Sequence, residues 1–185
     1  MVKFKRLLSS ILFLAFVPFA AGAQQASQPG TNPVSTAVKS SVERAAKNMV
    51  TAADEMPADK YSFHPTPDQM SFGKLVVHMV NSNFGLCSRI SGVPAPTQDK
   101  PSDTDPKDKL VAALKASFDF CSQSLAKVDD SNLGEQLSFG GDRKLSRAAA
   151  MIALTNDFAD HYSMAAAYLR ANGLLPPTAA QPHKE

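Results

Sequence analysis

Apolar residues recur in steps of three and four through most of the chain, the period that lines up one face of a helix. In the first such stretch the stripe is Val38, Val42, Ala45, Met49, Ala52 and Met56. It predicts a helix from about Thr36 to Met56, capped by Ser35 and stopped by Pro57. A second helix is expected from about Ser71 to Ile90, with Phe72, Leu75, Val76, Met79, Val80, Leu86, Cys87 and Ile90 apolar. The third runs from about Pro106 to Val128 on Leu110, Leu114, Phe118, Cys121, Leu125 and Val128. The fourth and longest, about Ser146 to Asn172, carries Ala150, Leu154, Phe158, Ala165, Tyr168 and Leu169, and Gly173 with Pro176-Pro177 ends it. No convincing period-two segment separates them. The expected fold is therefore all-α, a four-helix bundle. The proline-studded connection from Ser91 to Asp105 is long enough to return along the bundle, which allows helices two and three to lie parallel.

The start of the chain follows a different pattern. Lys3, Lys5 and Arg6 precede an apolar run from Leu7 to Val17, then Pro18 and a small-residue pattern at Ala21-Gly22-Ala23. This reads as a signal peptide, residues 1–23, cut before Gln24. The run is shorter than the roughly 20 residues of a spanning helix. Residues 24–35 read as a flexible linker, 36–175 as the bundle and 176–185 as a disordered tail.

Removing the leader changes the charge. The whole 185-residue chain, with 19 Lys and Arg against 17 Asp and Glu, carries +2. The leader holds three of the positive charges and no acid, so the remaining 162 residues carry −1. Basic residues there alternate with acidic ones, which counts against a nucleic-acid partner. No other segment is apolar enough to span a bilayer, so a periplasmic or secreted location is expected.

Cys87 and Cys121 are an even pair in a chain expected to be exported, so a disulfide is the first reading. Each lies about 23 Å from the start of its helix at 1.5 Å per residue. In parallel, level helices they would face each other; in antiparallel ones they could not bridge. Two small buried apolar residues are the alternative. A catalytic thiol ranks third, since neither cysteine has a base near it in sequence.

The fourth helix holds a polar pair on its inward face. Asp157 and His161 are one turn apart, and an i, i+4 pair of this kind is a spacing that metal sites in bundle cores use. A third ligand would come from His78 on helix two, at the flank of its apolar stripe. Three ligands leave a coordination position open, the arrangement of catalytic sites. A hydrogen-bonded core pair, or one closing the mouth of a wet cavity, is the other reading. Asp160 and Tyr162 flank His161 and are weaker candidates for supporting roles.

Met56-Pro-Ala-Asp-Lys-Tyr-Ser-Phe63, Pro65-Thr-Pro67 and Ser71-Phe-Gly-Lys-Leu-Val-Val-His78 together resemble the start of a DinB-like domain. Asp160-His161-Tyr162, followed by Tyr168-Leu-Arg-Ala-Asn-Gly173, resembles its end. The likeness spans about Thr36 to Pro177. It implies a four-helix bundle with a long crossover between helices two and three. It also implies a divalent metal held by one His on helix two and a His-xxx-His on helix four. His78 and His161 match two of those ligands, while position 157 is Asp in this chain. A carboxylate suits Zn, and also harder ions such as Mn or Fe; Ni is a further choice.

Two functions stay open on this reading. One is a metal-dependent thiol transferase or hydrolase acting on a small molecule, the metal activating a thiol or a water. The other is a non-catalytic, disulfide-stapled bundle that binds a small molecule or protein partner. A homodimer is what the resemblance suggests. Nucleophile elbows, phosphate loops, dinucleotide fingerprints and HExxH are absent from the sequence.

Overall fold

The computed structural model describes residues 32–97 and 100–180, so the expected signal peptide and most of the expected linker lie outside the described residues. Among the described residues four long helices carry the chain: α1 (Pro33–Glu55), α2 (Phe72–Ser91), α3 (Lys107–Leu125) and α4 (Arg147–Ala171). Single 3-10 turns follow at Ala58–Lys60 and Asp130–Asn132. The predicted stripes are the core: Val42, Met49, Met79, Leu110, Leu114, Leu154 and Leu169 are essentially inaccessible to solvent.

Helix directions can be read from residue pairs. Asn83 Nδ2 donates to Ser117 Oγ at 2.9 Å, and Cys87 is bonded to Cys121 one turn further on. Both pairs are 34 positions apart, so α2 and α3 run parallel. Against α4, α2 runs the other way, with Phe72 near Tyr168 and His78 beside His161. Helix α1 is antiparallel to α3, since Lys39 reaches the carbonyl of Ala126 and Lys107 that of Asp54. The bundle is up-down-down-up, and the connection before α3 is the expected crossover.

Local chemistry sets the helix ends. Ser71 caps α2 by accepting from Lys74 N at 3.1 Å, and Gly92, at φ 75°, ends it in the left-handed region. Ser146 caps α4 through Ala149 N. The start of α1 differs from expectation: it begins at Pro33 rather than Thr36, and Ser35 is buried inside its first turn. Proline suits the first helical position. The N–H groups of Val34 and Ser35, too early in the helix to have a carbonyl partner within it, are met by the Asp130 carboxylate, each at 2.8 Å, so no local cap is needed.

Two further differences concern the ends of α4. A small antiparallel hairpin precedes it, β1 (Gln136–Ser138) pairing with β2 (Lys144–Ser146) with Leu137 opposite Leu145. The sequence reading contained no strand; each strand is only three residues long, too short for an alternation to stand out. Beyond α4, Pro176 and Pro177 are buried and Thr178 bonds Tyr162, so the segment read as a tail packs on the bundle as far as it is described.

Candidate metal centre

His78 projects from the seventh position of α2, and Asp157 and His161 from successive turns of α4. Because α2 and α4 are antiparallel neighbours, these positions meet midway along their seam. One donor atom from each residue falls within 4.8 Å of the others. The imidazoles of His78 and His161 lie 4.6 Å apart between ring centroids, tilted by 31°. His161 is buried, Asp157 half-buried and His78 exposed, so the group opens to solvent on the α2 side.

The second sphere prepares the donors. Nδ1 of His161 is 2.7 Å from the main-chain oxygen of Asp157, which can only accept, so that nitrogen carries the proton. Nε2 of a neutral ring is then left with its lone pair, the usual state of a ligating histidine. Asp157 Oδ1 is also 3.4 Å from Nδ1. Its other oxygen, Oδ2, is buried and has no hydrogen-bond partner. A buried, unmatched carboxylate oxygen is costly in free energy, and a cation beside it removes that cost. Ser82, one turn along α2, places its Oγ 3.4 Å from Nε2 of His78. Two imidazoles and a carboxylate form a donor set that Zn, Mn and Fe(II) accept. These residues fit a divalent ion.

The other residues singled out from the sequence lie elsewhere. Tyr162 OH donates to Thr178 Oγ1 at 3.0 Å and accepts from Thr178 N at 2.9 Å, on the α1 side of α4. Asp160 is exposed. Cys87 and Cys121 form a disulfide with Cα atoms 5.2 Å apart, both fully buried, which leaves no thiol for catalysis. Ser82 was missed by sequence reasoning, although its i+4 spacing from His78 was a usable signal. A cavity of about 520 Å³ beside Asp59 and Asp108 and an apolar groove of about 580 Å³ between α1 and α4 are lined by other residues than the triad.

The fold agrees with that of known proteins. The DinB superfamily model matches residues 41–165, and the chain belongs to that superfamily. A DinB-like protein from Bacillus subtilis has a similar structure, with a TM-score of 0.62 at 19% identity over 80% of this chain and 97% of that one. A DinB-like protein from Bacillus cereus gives a TM-score of 0.63 at 15% identity, covering 77% and 95%. A conserved protein from Enterococcus faecalis gives 0.59 at 15% identity, covering 74% and 95%. At these identities the likeness is one of fold. No curated protein sequence matches the chain.

Proposed function

We propose that this is an exported, metal-dependent enzyme in which His78, Asp157 and His161 hold one divalent ion and leave a position open to a small-molecule substrate. The observation that carries the reading is Asp157 Oδ2, a buried carboxylate oxygen with no partner, set beside two imidazoles. Asp157 Oδ1 already faces His161 Nδ1 at 3.4 Å, so a purely structural pair leaves Oδ2 buried without a partner, whereas a cation would give it one. A bound divalent ion would supply Lewis-acid chemistry, lowering the pKa of a thiol or a water.

The chain's own part is positioning. The carbonyl of Asp157 fixes the orientation of the His161 ring, and the Ser82 hydroxyl restrains His78. Exposure of His78 gives a substrate its approach, whereas burial of His161 keeps bulk water from the opposite side. The triad and its open face support either thiol transfer or hydrolysis. Export is supported by the charged and apolar leader and by the disulfide, which favours an oxidising compartment.

The test is a stopped reaction series with the mature chain loaded with zinc, manganese or iron(II). Thiol transfer to an electrophilic dye and hydrolysis of activated esters and amides are followed in parallel. Turnover by at least one loaded form, abolished by His161→Ala, supports the reading. Metal loading without turnover of either kind favours the non-catalytic bundle.

A further inference from the structure

Gly85 lies seven residues beyond His78 on α2, two turns on and on the same face, about 10 Å along the axis. His78 on that face lies beside His161 of α4, and β1 touches both helices. The guanidinium of Arg89 folds back over Gly85. Its NH1 donates to the Gly85 carbonyl at 2.9 Å, and a Cβ at position 85 would stand 3.0 Å from it. The absence of a side chain at position 85 is what lets the guanidinium lie there.

The hairpin holds this charge from the far side. Arg89 Cζ sits 5.4 Å from the centre of the Phe139 ring, and Arg143 Cζ sits 5.8 Å from the same ring. Phe139 N donates to Arg143 O at 2.9 Å, which closes the turn that carries both side chains. Two cations sharing one aromatic ring repel each other, and the ring's negative face only partly offsets this. Among the described residues neither guanidinium has a carboxylate within 4.0 Å. The hairpin side of α2 thus presents positioned positive charge with no carboxylate partner among the described residues.

We infer that Arg89, backed by Phe139 and given room by Gly85, is a specificity-determining residue that binds a carboxylate on the substrate, about 10 Å from the atom that meets the metal centre. The inference rests on the metal reading above. It defines the substrate class as a small molecule with a metal-coordinating group at one end and a carboxylate at the other. Planar, forked N–H donors suit a carboxylate better than a point charge does. Arg143, on the same Phe139 ring, adds to the positive field there.

The experiment uses the mature chain loaded with cobalt(II), titrated with ω-mercaptocarboxylic acids of increasing chain length and with the matching ω-mercaptoalcohols. Binding is read from the near-ultraviolet thiolate-to-cobalt absorption, without turnover. Wild type should prefer the carboxylate by about fivefold at chain lengths that span about 10 Å, the size of one partly screened ion pair. Acids too short to reach Arg89 can chelate the metal, and any preference they show should be unchanged by Arg89→Gln. Arg89→Gln should abolish the preference, Arg89→Lys should keep part of it, and Gly85→Ala should weaken it. Equal binding of acids and alcohols, a preference that survives Arg89→Gln, or failure of either series to bind would overturn the inference while the metal reading stands. Failure of cobalt to bind wild type would overturn both.

Discussion

His161 Nδ1 is 2.7 Å from the main-chain oxygen of Asp157, one turn earlier on the same helix. The histidine is thereby oriented by backbone, and the Asp157 carboxylate is left with a buried oxygen unmatched. Asp157→Asn removes that charge while keeping the backbone contact. Without metal, the variant should melt at the wild-type temperature or above it. Zinc at a hundredfold excess over its Kd should stabilise wild type by about 2.7 kcal/mol, a rise of several degrees, and the variant by much less. Thermal melts with and without zinc check both parts.

The disulfide joins the two helices that run parallel, across a sequence separation of 34. Replacing both cysteines by alanine should cost about 2–4 kcal/mol in urea unfolding. Secondary structure should survive, because Asn83–Ser117 and the apolar stripes still join α2 to α3. Alkylation of unreduced protein followed by mass measurement should detect no free thiol.

Gly73 and Gly85 share a helix but should respond oppositely to alanine. A Cβ at position 73 would lie 2.8 Å from the Asp103 carbonyl oxygen and 3.3 Å from that of Tyr61, both backbone. Gly73→Ala must push the crossover away from α2 and should cost about 1–3 kcal/mol. At position 85 the only close neighbour among the described residues is the movable end of Arg89. Gly85→Ala should leave stability unchanged or raise it by up to about 1 kcal/mol through helix propensity. Chemical denaturation of the two variants gives the comparison.

Asp130 joins the start of α1 to the segment after α3. Its desolvation raises its pKa, but the N–H groups of Ser35 and Val34 outweigh this and hold it below the usual carboxylate range. A folded-state pKa below the unfolded value gives stability that is present above the unfolded pKa, about 3.9, and is lost as pH falls through the folded one. Asp130→Ala should therefore lower Tm at neutral pH, and the gap from wild type should shrink below about pH 4. Melts from pH 7 to pH 3 read it directly.

The first three helices and their inward faces were legible because a 3.6-residue period runs through each of them, whereas in α4 alanine recurs on every face and the stripe is weak. The level placement of Cys87 and Cys121 was legible as well, since equal distances from two helix starts became equal heights once α2 and α3 were parallel. The start of α1 was not legible, because its cap, Asp130, is 96 positions away from Val34 and leaves no local signature. The hairpin was overlooked, although Gly140 and Gly141, at φ 94° and 54°, supply the left-handed turn it needs. At the triad, spacing placed Asp157 and His161 on one face. The bond from His161 to a main-chain oxygen and the orphaned Oδ2 depend on side-chain rotamers, which a sequence pattern does not encode.

The central claim is that His78, Asp157 and His161 hold a metal ion, and metal stoichiometry tests it most directly. Protein expressed from residue 24 onward without an affinity tag is loaded with cobalt(II), dialysed, and analysed by elemental mass spectrometry and visible absorption, beside His78→Ala, Asp157→Ala and His161→Ala. The account predicts one ion per wild-type chain with a d–d spectrum of bound cobalt, and loss of both in each variant while helical circular dichroism is retained. Wild type that keeps no stoichiometric ion, or variants that keep theirs, would contradict it.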